Sequence, residues 1–106
     1  MDDLIIEPLQ VHEMIQNGES FLLLDCREPW EYQTARIEGA TLIPMRDIPS
    51  KLDEIPKDQK VVVYCHAGMR SFNAASWLKQ NGVQALSMSG GIDQWSKEID
   101  PKVPRY

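Results

Sequence analysis

The stretch "KVVVYCHAGMRSFNAASWLKQNG" (60–82) decides the fold. Val61, Val62, Val63 and Tyr64 form an unbroken β-branched and aromatic run, which predicts a strand over 60–64 covered on both faces. The spacing then switches to that of a helix over 71–82. Ser71 reads as its N-cap, Ala74, Ala75, Trp77 and Leu78 give it an apolar face, and Gly82 stops it. Between the two lies a short junction that starts with Cys65 and contains Gly68 and Arg70.

The same alternation extends in both directions. "LII" (4–6) is a short apolar run, and Pro8 opens a helix that Gly18 ends. "FLLLD" (21–25) predicts a second buried strand. "EPWEYQTA" (28–35) predicts a short helix with Pro29 in its first turn. "ATLIPM" (40–45) reads as a brief strand stopped by Pro44, and "IPSKLDEI" (48–55) as a short helix. "QALSM" (84–88) is the last strand. Gly90-Gly91 turns into a helix over "IDQWSKEI" (92–99). The tail, 97–106, carries two prolines and is expected to end extended over the surface. Five short strands alternating with helices predict an α/β fold: a five-stranded parallel sheet with helices on both faces, a three-layer sandwich. Ligands of such sheets bind beyond the carboxyl ends of the strands, and Cys65 stands at such an end.

At 106 residues the chain has the size of one domain, and 42% hydrophobic residues suffice for one core. A net charge of −5 without any Lys/Arg-rich window argues against a nucleic-acid surface. No run reaches the ~18 apolar residues of a membrane helix. The acidic start "MDDL" is unlike a secretory leader, so a cytoplasmic location is the expectation. Two cysteines 39 positions apart, Cys26 and Cys65, do not make a disulfide framework.

By composition alone, Cys65 is either a small buried hydrophobe or a reactive thiol. Its setting favours the second. Gly68 permits backbone angles that other residues resist, and Ala67 and Gly68 let successive N–H groups converge. Such a nest, backed by a helix N-terminus, stabilises an anion. The nearest anion is the Cys65 thiolate, and Arg70 supplies a permanent cation.

With these residues in place, the chain resembles the single-domain rhodaneses, a family of sulfurtransferases. "CHAGMRS" (65–71) resembles their six-residue active-site loop, with Cys65 first and Arg70 sixth. "LLLDCREPWEY" (22–32) resembles their Asp-x-Arg-Glu segment, "IEGATLIPM" (37–45) their Gly-Ala segment, and "SGGIDQW" (89–95) their Gly-Gly…Trp turn. The likeness runs from about Ile5 to Trp95. It departs from the family at Ala35 and Arg36, where a histidine is common. The tail "EIDPKVPRY" resembles that of rhodanese domains fused to enzymes that adenylylate sulfur-carrier proteins. The resemblance implies that Cys65 attacks the sulfane sulfur of a small anionic donor such as thiosulfate and holds it as a persulfide. A thiol, cyanide or a sulfur-carrier protein then accepts it. Cys65 and Arg70 are the implied catalytic residues. His66, Ala67, Gly68, Met69 and Ser71 are the implied substrate-binding ones, and no metal or other cofactor is implied.

Two rivals carry different consequences. A cysteine-dependent phosphatase or arsenate reductase uses the same strand–loop–helix logic, but normally with five residues between Cys and Arg, whereas four stand here, His66 to Met69. Alternatively, the domain is a persulfide relay or docking module that acts only with a protein partner. His66 beside Cys65 could ligate a metal, but the chain's two His and two Cys lack zinc-site spacing. Met69 fits substrate contact or packing equally. If the Cys26 and Cys65 strands are neighbours, Cys26 could resolve an oxidised or persulfidated Cys65 as a disulfide. Asp25 and Arg27 read as a structural ion pair near the site, Glu28 and Glu31 as first-turn residues of a helix, and Trp30, Trp77 and Trp95 as core.

Overall fold

The computed structural model describes residues 3–106; Met1 and Asp2 lie outside the described residues. The valine run forms the middle of a parallel sheet. Its strands are β1 (Ile5–Ile6), β2 (Phe21–Asp25), β3 (Thr41–Leu42), β4 (Lys60–Tyr64) and β5 (Gln84–Met88), in the order β1-β5-β4-β2-β3. Val61, Val62, Val63 and Tyr64 are all fully buried because β4 has a neighbour on each side and a layer on each face.

Alternate residues of β4 serve the two layers. Val61, Val63 and Cys65 pack with Leu24, Cys26 and, from helix α3 (Met69–Gln80), Ala74, Ala75 and Leu78. Val62 and Tyr64 face Val11 and Met14 of α1 (Pro8–Gln16), and Ile92 and Trp95 of α4 (Gly91–Glu98). Helix α2 (Pro29–Thr34) follows β2 and leads into Ala35 and Ile37 on this second side.

Three expectations are corrected. The strand over 40–45 is only two residues long, Thr41–Leu42, at the sheet's edge. The segment 48–55 forms a 3₁₀ helix, Pro49–Glu54, preceded by a shorter one at Met45–Asp47, rather than an α-helix. The tail does not run loosely over the surface. Val103 is buried in the second core, and the Ser96 hydroxyl donates to Val103 O at 2.6 Å, so the tail is held against the layer that contains α4. Among the described residues no helix is long and apolar enough to cross a membrane.

Candidate active site

The register places two cysteines side by side. Asp25 of β2 pairs with Tyr64 of β4, and the next residue on each strand is a cysteine, Cys26 and Cys65. Both are free and buried, but they meet different surroundings. Burial first, and the neighbouring Cys65 second, push the Cys26 thiol up to about 12, so it stays protonated.

Cys65 Sγ instead faces donors. It accepts the Gly68 N–H at 3.1 Å and the Ser71 N–H at 3.3 Å, and Ser71 Oγ lies 3.5 Å away. These donors exist because the loop is shorter than the sequence suggested. Helix α3 begins at Met69, its N-cap is Gly68 rather than Ser71, and Ser71 sits in the first turn. Gly68 has φ 113°, a left-handed value that a side chain resists. This conformation folds the loop back over its own sulfur and turns the first amides of α3 inwards. The carbonyl side of the loop is held by a second helix start: Ile92 N–H donates to Cys65 O at 2.9 Å and Asp93 N–H to His66 O at 3.1 Å. The N-terminus of α3 thus serves the sulfur, and that of α4 serves the backbone around it.

Arg70, the permanent cation at the loop's end, is paired with a carboxylate. Its Nη1 and Nη2 donate to Glu31 Oε1 and Oε2 at 2.8 and 2.9 Å. Glu31 has only 5% of its side chain exposed, and the pair is bidentate, so each partner strongly favours the other's charged form. Arg70 holds the Glu31 carboxyl down to about 2, against the opposing effect of burial. The Arg70 guanidinium is raised in turn, chiefly by Glu31, with a smaller contribution from Cys65.

The chain of contacts continues through a residue that no sequence motif marks. The Tyr106 hydroxyl donates to Glu31 Oε2 at 2.8 Å and accepts from Arg27 Nη1 at 2.8 Å. Its ring stacks on His66, with centroids 4.2 Å apart. Arg27 is completely buried and pairs with Asp25 through Nε at 2.8 Å and Nη2 at 2.6 Å. Burial opposes its charge, but the hydrogen bonds it donates to Asp25 and Tyr106 win and raise it further. Asp25 and Arg27 are therefore the ion pair anticipated from the sequence. Glu31 does more than serve a helix end: it accepts the Glu28 N–H at 2.9 Å and also anchors Arg70. Tyr106 announces itself only as an aromatic residue in a tail, a signal without any periodicity to interpret.

Of the remaining predicted residues, Ala67 and Met69 stand exposed at the loop tip, Met69 at 78%. Met69 does not pack. Trp30, expected in the core, is 62% exposed and meets Tyr106 edge-on at 5.8 Å; Trp95 is buried as expected. Among the described residues no group of three or more His, Cys, Asp or Glu side chains could hold a metal. A groove of about 320 Å³ runs beside the loop past Ala67, Gly68, Met69 and Phe72. A larger cavity of about 470 Å³ lies between α1, the segment after α2 and the tail, and none of its lining residues belongs to the cysteine loop.

The model of the Rhodanese-like domain family matches residues 7–98. The chain belongs to this family. As a rhodanese-like domain it is 38% identical to a protein named sulfurtransferase from Allochromatium vinosum over 99 residues, covering 92% of each chain. It is 35% identical to the probable adenylyltransferase/sulfurtransferase MoeZ of Mycobacterium tuberculosis, covering 95% of this chain but 26% of that protein. The crystal structure of a rhodanese-related protein from Thermoplasma volcanium superposes with a TM-score of 0.83 at 31% identity, over 95% of this chain and 97% of that one. The three-layer α/β sandwich expected from the strand–helix alternation is observed, and it is the rhodanese fold that the resemblance implies.

Proposed function

We propose that this rhodanese-like domain is a sulfurtransferase that carries sulfane sulfur on Cys65. The observation that carries the reading is the Sγ atom held by the Gly68 and Ser71 amides at the start of α3. A buried sulfur given two backbone donors is built to bear charge rather than to fill a core. The Cys65 thiolate attacks the outer sulfur of a donor such as thiosulfate. A new S–S bond forms, the donor's S–S bond breaks, and sulfite leaves with the electron pair. An acceptor nucleophile (a thiol, cyanide or a sulfur-carrier protein) then attacks the outer sulfur of the persulfide and releases the thiolate. This is covalent catalysis by an activated thiol.

Arg70 uses two N–H groups on Glu31, and a guanidinium has five, so the others remain for an anionic donor. Glu31 fixes the plane in which they point. The likeness to one part of a longer adenylyltransferase/sulfurtransferase supports a sulfur-carrier protein as acceptor. A reducing compartment such as the cytoplasm keeps Cys65 available as a thiol.

Intact-mass measurement after incubation with thiosulfate tests the reading. A gain of about 32 Da, one sulfur atom in place of none, is expected on the wild-type chain and is absent from Cys65→Ser, which keeps the fold. If no donor, thiosulfate or persulfidated protein, loads the wild-type chain, the proposal is wrong.

A further inference from the structure

Behind Cys65 the structure holds a second hydroxyl that the loop motif does not include. Ser87 lies on β5, one strand away from Cys65, and is 1% exposed. Its Oγ is 2.8 Å from Ser71 Oγ, which is fully buried and 3.5 Å from Cys65 Sγ. Ser71 Oγ is also 3.2 Å from Gly68 O, which can accept its proton.

A hydroxyl has one proton to give and two lone pairs to receive. With a thiol at Cys65, Ser71 Oγ donates to Gly68 O and accepts both the thiol proton and the Ser87 proton, and all its capacity is used. With a thiolate, Sγ has nothing to donate. Ser71 can then swing its proton from Gly68 O to Sγ. Gly68 O is not orphaned by this, because it also accepts the Phe72 N–H at 3.1 Å. In that state Ser87 is the group that donates to Ser71 Oγ. A hydroxyl that accepts a hydrogen bond becomes a stronger donor.

We infer that Ser87 is a positioning residue for sulfur transfer: its hydroxyl sets Ser71 to follow the charge on Cys65 Sγ. The inference rests on Cys65 being the sulfur-carrying nucleophile. In the persulfide, the inner sulfur is neutral and Ser71 donates to Gly68 O. As an acceptor attacks the outer sulfur, the Sγ–S bond breaks and its electron pair returns to Sγ. The Ser71 proton rotates onto Sγ as the charge appears there. No proton leaves the site, and no further reactant is needed.

Ser87→Ala removes the donor from Ser71 Oγ. The loss weighs more on the thiolate state, in which Ser87 is the donor Ser71 relies on, than on the thiol state, in which Sγ–H also donates. The test uses the whole chain and a neutral probe, iodoacetamide, whose reaction with Cys65 needs a thiolate but no sulfur transfer. Its second-order rate constant should fall about fivefold in Ser87→Ala, the worth of one hydrogen bond. Ser71→Ala should also slow the reaction. If Ser87 acts through Ser71, adding Ser87→Ala to Ser71→Ala changes nothing further. Single-turnover discharge of the persulfide by cyanide should slow in Ser87→Ala, with the KM for thiosulfate unchanged. An unchanged alkylation rate in Ser87→Ala, or losses that multiply in the double variant, would overturn the inference. Because alkylation does not involve sulfur donors, a wild-type chain that accepts no sulfur defeats the proposed function separately, while the alkylation results still decide the role of Ser87.

Discussion

The contact between α4 and the cysteine loop gives a sharp test of how the site is held. Gly91 has φ 61°, and a Cβ built there would lie 2.5 Å from Cys65 O and would also collide with His66 O. Both obstacles are backbone, which cannot rotate away as a flexible side chain can. In Gly91→Ala, α4 must retreat from the loop. The left-handed conformation costs an alanine about 1–2 kcal/mol. Retreat also stretches the Ile92–Cys65 and Asp93–His66 backbone hydrogen bonds, now 2.9 and 3.1 Å, each worth about 1 kcal/mol net. The total is about 3–4 kcal/mol, a melting-temperature loss of roughly 15 °C for a domain of this size. Gly18→Ala is the control. Gly18 has φ 68°, but its added Cβ meets nothing within 4 Å, so only the conformational cost of about 1–2 kcal/mol applies. Thermal melts followed by circular dichroism, with iodoacetamide kinetics on the folded fraction, read both effects. If Gly91→Ala melts no lower than Gly18→Ala, the reasoning that α4 clamps the loop backbone is refuted.

Other expectations follow from the charged chain around Arg70. Arg70→Ala should raise the KM for thiosulfate by about tenfold or more, the worth of a charged hydrogen bond; steady-state kinetics that match the wild type would remove Arg70 from donor binding. Tyr106→Phe keeps the stacking on His66 but leaves the buried Arg27 Nη1 without its phenolic acceptor, so urea titration should show a loss of about 1–3 kcal/mol; a stability equal to wild type would mean that this hydrogen bond adds nothing. Glu31 has its carboxyl depressed to about 2 from 4.5, principally by Arg70. A depressed carboxyl stabilises the fold above its unfolded value and loses that contribution as pH falls from about 4.5 towards 2, here on the order of 3 kcal/mol. Glu31→Gln should flatten the acid limb of the stability–pH curve over that window, and an unchanged slope would contradict the shift.

The sequence by itself determined the sheet and the location of the chemistry. Val61–Tyr64 and Phe21–Leu24 are apolar on both faces and too short for helices, which makes them central strands. Cys65, Gly68 and Arg70 lie within one turn of chain, where local spacing controls geometry. At the start of α3 the local signal is ambiguous: Ser71 reads as a cap because serine commonly is one, but Gly68 supplies the conformation that starts the helix. What the tertiary structure decided is which groups meet across long chain separations. Glu31 claims Arg70, Tyr106 bridges Glu31 and Arg27, and Ser87 of β5 backs Ser71 of α3. None of these pairings has a period or a fixed spacing. Each arises because parallel strands bring their carboxyl ends to a single edge, where polar groups excluded from water must find partners in one another.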